Sequence, residues 1–303
     1  MPRTRPRLSR RRWPSRRARP PWHLAVLPLV ALATAFAPLV ASARKPASAP
    51  ASMKLFDSPV EALQAVLARR APAVLGLGEF HEVEGAPPVR SSLVHFREEL
   101  LPVLAKVSSD LVLETWVTQG NCGKEEARVV EQVAETTRRP ESTETDLVKL
   151  IKQARAQGVA PHILEMSCKE YRAILDGTGE VDYEKLLGTI ARLLEKTVDG
   201  VRKERGPKER RAVLVYGGAV HSDLTPSREL RAFSYAPSLQ KKTRGGLVSL
   251  SLFVPEFIER SEFIKAQRWY QQVAKIPAGK TALIERGPAS YVMVFARGVA
   301  AEK

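Results

Sequence analysis

Ala73-Val74-Leu75-Gly76-Leu77-Gly78-Glu79-Phe80-His81 reads as a short buried strand running into a glycine-bounded turn that carries two ionisable side chains. A continuous apolar run without polar alternation is the pattern of a strand covered on both faces of a parallel sheet. Three similar runs follow. Leu111-Val112-Leu113 ends in Glu114, and Pro161-His162-Ile163-Leu164 ends in Glu165. Ala212-Val213-Leu214-Val215-Tyr216 runs into Gly217-Gly218-Ala219-Val220-His221.

Helical patterns separate these runs. Ser58-Pro59-Val60-Glu61 opens a helix, with Ser58 as cap, Pro59 at the first helical position and Glu61 closing a capping box. Residues 91–107 carry Leu93, Phe96, Leu100, Leu101 and Leu104 on one side, and Pro102 predicts a kink there. Further helices are expected over 124–137, 145–157 (stopped by Gly158) and 182–204. The tail is richer in strands: Leu247 to Val254 alternates with Ser, and 282–285 with 291–295 suggests a hairpin around Gly287-Pro288. The expectation is an α/β fold, with a mostly parallel central sheet, helices on both faces and antiparallel additions near the C-terminus.

The ends of the 303-residue chain differ from its middle. The net charge is +15, but residues 1–43 hold nine Arg and no acid, which leaves +6 for the rest. The modest remaining excess argues against a nucleic-acid partner. The basic segment is followed by an apolar stretch from Leu24 to Val40 and by the small-residue site Ala41-Ser42-Ala43, the layout of an export signal. The stretch is long enough that a retained anchor is the competing reading. The expected organisation is a signal peptide at 1–43, a Pro/Ala/Ser linker at 44–52 and one α/β domain at 53–299, located in the periplasm or outside the cell. After cleavage no stable membrane insertion is expected. Export permits a disulfide between Cys122 and Cys168, and the spacing alone does not separate a bridge from two free thiols.

In open α/β sheets, ligands bind outside the carboxyl ends of the strands. Parallel pairing would therefore gather Glu79, His81, Glu114, Glu165 and His221 at one rim. A carboxylate beside an imidazole orients it and favours its charged form, so His81 with Glu79 or Glu114 can activate water. Two His with carboxylates can equally hold a divalent metal, with Glu79, His81 and His221 as ligands. Arg90 and Tyr235 are candidates for substrate contact, with Glu165. His95 and His162 read as structural, and Asp223 either orients His221 or caps the next turn. A G-x-S-x-G elbow, a Walker A loop, a complete dinucleotide fingerprint and H-E-x-x-H are absent from the sequence.

Leu75-Gly76-Leu77-Gly78-Glu79-Phe80-His81, Leu113-Glu114 and Val215-Tyr216-Gly217-Gly218-Ala219-Val220-His221 together resemble a superfamily that contains the erythromycin esterases, the ChaN-like haem-binding lipoproteins and the Tiki/TraB-type metalloproteases. The resemblance covers about residues 70–225. It implies Glu79, His81, Glu114 and His221 as candidate catalytic residues around one cleft. The Gly78-Glu79-Phe80-His81 spacing is nearer the ChaN-like pattern, whereas Val89-Arg90 before the next helix is esterase-like. The resemblance implies an exported hydrolase of an ester, lactone or peptide, acting on a small-molecule or peptide substrate with or without a metal. The alternatives are a haem- or metal-binding protein without catalysis and an inactive relative.

Overall fold

The computed structural model describes residues 52–298. The expected signal peptide and nearly all of the linker lie outside them. The strands, numbered in chain order, are β1 Ser52–Phe56, β2 Val74–Glu79, β3 Ser108–Gln119, β4 Ala160–Ser167, β5 Ala212–Gly218, β6 Leu247–Phe253, β7 Thr281–Gly287 and β8 Ser290–Val294. They form one eight-stranded sheet in the order β1-β7-β8-β6-β2-β5-β3-β4. The pairings β2–β5, β2–β6, β3–β4, β3–β5 and β6–β8 are parallel. The pairings β1–β7 and β7–β8 are antiparallel. The protein is thus α/β, with a mostly parallel sheet and antiparallel strands at one side.

Alternation within each apolar run builds two cores, one on each face. Leu75, Leu77, Leu111, Leu113, Leu214 and Tyr216 turn to one face, where they meet Leu63, Val66, Phe96, Leu100 and Leu150 from the helices. Val74, Val112, Val213 and Val215 turn to the other, against Val129, Leu186, Ile190, Leu194 and Val198. Every one of these side chains is buried, which explains why the runs show no polar positions. A third cluster, around Trp269, Ile258 and Ile284, packs under the C-terminal strands.

Local signals differ from the reading in several details. Ser58 caps the helix Pro59–Arg69, but Glu61 reaches back to the amide of Asp57 instead of Ser58. Around Pro102 the helix widens into a π-turn over Phe96–Leu100, and the Leu101 N–H bonds to Phe96 O, five residues back. Proline has no N–H to give to the fourth residue before it, and the wider turn accommodates that gap. Finally, β1 begins at Ser52, inside the expected linker, because Ser52–Phe56 pairs with β7 along its whole length. Gly158, at φ 79°, ends the helix Glu141–Ala156 as expected.

The register between β3 and its neighbours matters most for function. Leu113 pairs with Ile163 of β4, but the next pair is Trp116 with Leu164, so Glu114 and Thr115 have no counterpart. The β5 pairing of β3 ends at Leu113–Tyr216. The strand continues to Gln119, well past the Leu113 expected from the sequence. Such irregularities bend a strand and re-aim its side chains, and Glu114 sits in this one.

Candidate active site

Register brings the ends of β2, β5 and β3 together. Gly78 and Glu79 of β2 lie beside Gly217 and Gly218 of β5, and β3 flanks β5 on its other side. The buried Glu79 carboxylate is held from two directions. Tyr216 Oη–H donates to its Oε2, and His81 Nδ1 lies 2.7 Å from its Oε1. On the far side of the ring, Arg139 Nη2 donates to His81 Nε2 at 2.7 Å. A guanidinium has donors only. Its donation leaves Nε2 as the acceptor and Nδ1–H facing Glu79.

A second carboxylate–imidazole pair lies beneath. Glu114 Oε1 is 3.3 Å from His221 Nε2, and its Oε2 accepts the Gly218 N–H. His221 Nδ1 donates to Phe233 O at 2.6 Å. Both His221 nitrogens face acceptors, which suits an imidazolium. Burial works against charge on both partners and raises the Glu114 pKa. The opposing charge and hydrogen bond of His221, with His81 and Arg139 nearby, outweigh it and bring Glu114 down to about 2. Burial likewise lowers the His221 pKa, and Glu114 reverses it, for a net rise.

Gly217 and Gly218, expected as a turn, are the last two residues of β5, and their missing side chains allow the two pairs to meet. A Cβ on Gly217 would collide with the Glu114 carboxylate, and one on Gly218 would stand 3.0 Å from His81 Nε2. The structure thus brings Glu79, His81, Glu114 and His221 around the carboxyl end of β5. Only part of this set reaches solvent. The cleft above it is lined by Glu79, His81, Glu82, Arg139, Thr143 and Asp146, together with Ser91 and Leu93, and its free volume is about 10 Å³. That is the room of a single water. Burial first, then the charges of Glu79 and Asp146, push the Glu82 pKa up.

The substrate-contact candidates are elsewhere. Arg90 is half exposed and paired with Glu98 at 2.5 Å and Glu99 at 2.9 Å. Glu165 is exposed on the edge strand β4, between the buried Leu164 and Met166, because alternation turns it away from that core. Tyr235 is buried beneath the cluster, with burial first and Glu114 second raising its pKa. Asp223 accepts from the Thr225 N–H and pairs with Arg286 at 3.3 Å, so it caps a turn and does not orient His221. His95 stacks on Phe295, and His162 bonds Asp110 at 2.8 Å, both structural positions. Arg139 and Glu82 were missed as site residues. Arg139 comes from the loop between the helices Gly123–Thr137 and Glu141–Ala156, and its only signal in the sequence is its place before Pro140.

The fit of a metal or haem can be tested on these contacts. Among the described residues, no group of three or more His, Cys, Asp or Glu is arranged to hold a metal ion. At the expected ligands Glu79, His81 and His221, a guanidinium already stands at His81 Nε2, and both His221 nitrogens are engaged. A cleft of about 10 Å³ holds neither a haem nor an acyl substrate without widening. The contacts as arranged therefore do not fit a metal, and either larger molecule requires the cleft to open. Cys122 and Cys168 are joined in a disulfide.

No protein-family model, curated protein or solved structure matches the chain. The superfamily likeness accordingly rests on the motifs themselves. No helix of the described residues is long and apolar enough to cross a membrane.

Proposed function

We propose that this protein is an exported hydrolase that activates water with His81 to cleave an ester, lactone or peptide bond. The observation that carries the reading is the His81 ring itself, with Nδ1 anchored at 2.7 Å by the buried Glu79 and Nε2 at 2.7 Å from Arg139, another residue of the cleft wall. A carboxylate that fixes the tautomer of an imidazole whose other nitrogen faces the reaction space is the arrangement general base catalysis requires.

In this scheme His81 Nε2 takes a proton from water as the water oxygen attacks the carbonyl carbon. Arg139 transfers its hydrogen bond from Nε2 to the oxygen that gains negative charge. Glu79, held by Tyr216, offsets the positive charge on the protonated ring. Collapse breaks the C–O or C–N bond, and the proton passes from Nε2 to the departing oxygen or nitrogen. The acid and the alcohol or amine are the products. Glu114 and His221 act as positioning residues, since they fix the Gly217-Gly218 end of β5 against which His81 packs. No step calls on a metal.

The disulfide supports the export reading, because such bonds persist in oxidising compartments. A panel of esters, lactones and peptides tests the activity. Turnover that falls about 10²- to 10⁴-fold in His81→Ala supports the proposal. A silent panel, or a rate unchanged in that variant, overturns it. A Soret band on haem addition to a protein that turns nothing over would move the assignment to the haem-binding alternative.

A further inference from the structure

At the opposite rim of the sheet, beside the amino ends of β3 and β5, lies a far larger cleft of about 910 Å³. Its walls carry Arg202, Lys203, Arg205, Arg210, Arg211 and Lys242, against only Asp199 and Glu209 among acids. They come from the end of the helix Tyr183–Arg205, the loop after it and the helix Ala236–Lys242. Basic residues in a last helical turn commonly just offset the helix dipole. That accounts for Arg202, Lys203 and Arg205, and for Lys242 at the end of its own helix, but not for Arg210 and Arg211, which lie in the loop.

Three of the six are locked in place. Arg205 forks onto the fully buried Asp110 through Nε at 3.2 Å and Nη2 at 2.9 Å. Arg211 forks onto Glu209 through Nε and Nη2, and Lys242 is held by Glu195 at 2.6 Å and by Asp199. Both arginines keep Nη1 out of these contacts. The other three, Arg202, Lys203 and Arg210, have no ion pair or side-chain hydrogen bond among the described residues. The cleft is therefore stiffened by paired cations and charged by unpaired ones.

We propose that this cleft binds a compact polyanion bearing two or three phosphate groups. The three cations without partners are available to phosphate oxygens, and a phosphate ester carries about −1.5 to −2 at neutral pH. Guanidinium forks suit the tetrahedral oxygens, and locked side chains lose little freedom on binding. The walls include no aromatic side chain, so nothing there would stack a nucleobase. The phosphate comes from a soluble oligophosphate or from a lipid headgroup.

The test is calorimetric titration of the full chain with sodium tripolyphosphate at low ionic strength, with wild type compared to Arg202→Gln/Arg210→Gln. Both chains share the basic leader, so their difference reports the cleft. Saturable binding that weakens about tenfold or more in the variant is expected, with the thermal midpoint little changed because neither side chain makes an ion pair or side-chain hydrogen bond among the described residues. Sedimentation with phosphatidylglycerol vesicles separates the two sources: variant-sensitive vesicle binding that tripolyphosphate displaces assigns a headgroup, and its absence assigns a soluble ligand. Absence of tripolyphosphate binding, or equal affinity in the two proteins, overturns the proposal.

Discussion

The Arg139 guanidinium stands 2.7 Å from Nε2 of His81, the one imidazole nitrogen in the cluster that a hydrolytic water would need. Residues 58 apart in sequence thus share one hydrogen bond at the mouth of the cleft. In the proposed reaction the same donor caps the base at rest and stabilises the oxyanion during turnover. Replacing it with an uncharged residue should remove the second role. Arg139→Gln is expected to lower kcat by about 10²- to 10³-fold, the usual loss for one oxyanion donor, with a smaller change in KM. Steady-state kinetics on the best substrate of the ester panel check this, and an equal rise in KM at unchanged kcat would contradict it.

The Glu114–His221 pair should make stability depend on pH from both sides. Glu114 is held at about 2 when folded, against 4.5 as its ordinary value, so its contribution is present above about 4.5 and lost as pH falls toward 2. His221 is raised above 6.5, so its contribution is full below 6.5 and lost as pH rises through the raised value. The pair therefore supports the fold best between roughly pH 5 and 6.5. Thermal midpoints measured across pH in wild type and in the double variant Glu114→Gln/His221→Gln should differ most in that window. A constant difference across pH would argue against the ion pair.

Removing one member alone should be worse than removing both. Glu114→Gln leaves His221 buried with its proton and no counter-charge, at a cost of about 3–5 kcal/mol. Chemical denaturation of the single and double variants measures the coupling, and additivity of the single changes would mean the pair does not interact.

The glycine end of β5 admits a steric test. Gly217→Ala places a methyl group against the Glu114 carboxylate and should destabilise by about 1–3 kcal/mol. Gly218→Ala presses on His81 Nε2 from 3.0 Å, so it should impair turnover more than stability. Equal thermal midpoints for Gly217→Ala and wild type would show that Glu114 does not pack there.

The Cys122–Cys168 bridge closes a separation of 46 residues, for which loop-closure entropy gives about 4 kcal/mol. The variant Cys122→Ser/Cys168→Ser should lose about 2–5 kcal/mol by denaturant titration. A wild-type midpoint unchanged after reductant has freed both thiols would show that the bond contributes little.

By itself the sequence determined the layers of this protein. The run Val74–Leu77 has no polar residue because both its faces are covered, and Leu75 and Val74 fall in different cores as period-two alternation demands. Parallel pairing of such runs also put Glu79, His81, Glu114 and His221 on one rim, since parallel strands end on the same side. Tertiary structure decided what these residues touch. Glu165 ends an apolar run just as Glu114 does, yet two unmatched residues in β3 turn Glu114 toward β5 while Glu165 stays exposed on an edge strand. Arg90 looked suited to an anion and is instead paired with Glu98 and Glu99 of its own helix region. Arg139 could not be read at all. A loop arginine carries no periodicity, and its position at His81 follows only from how two helices pack across the sheet. Local patterns fix which face a side chain takes, because that is set by backbone geometry. Contacts between segments depend on register and loop paths, which the linear order of residues does not state.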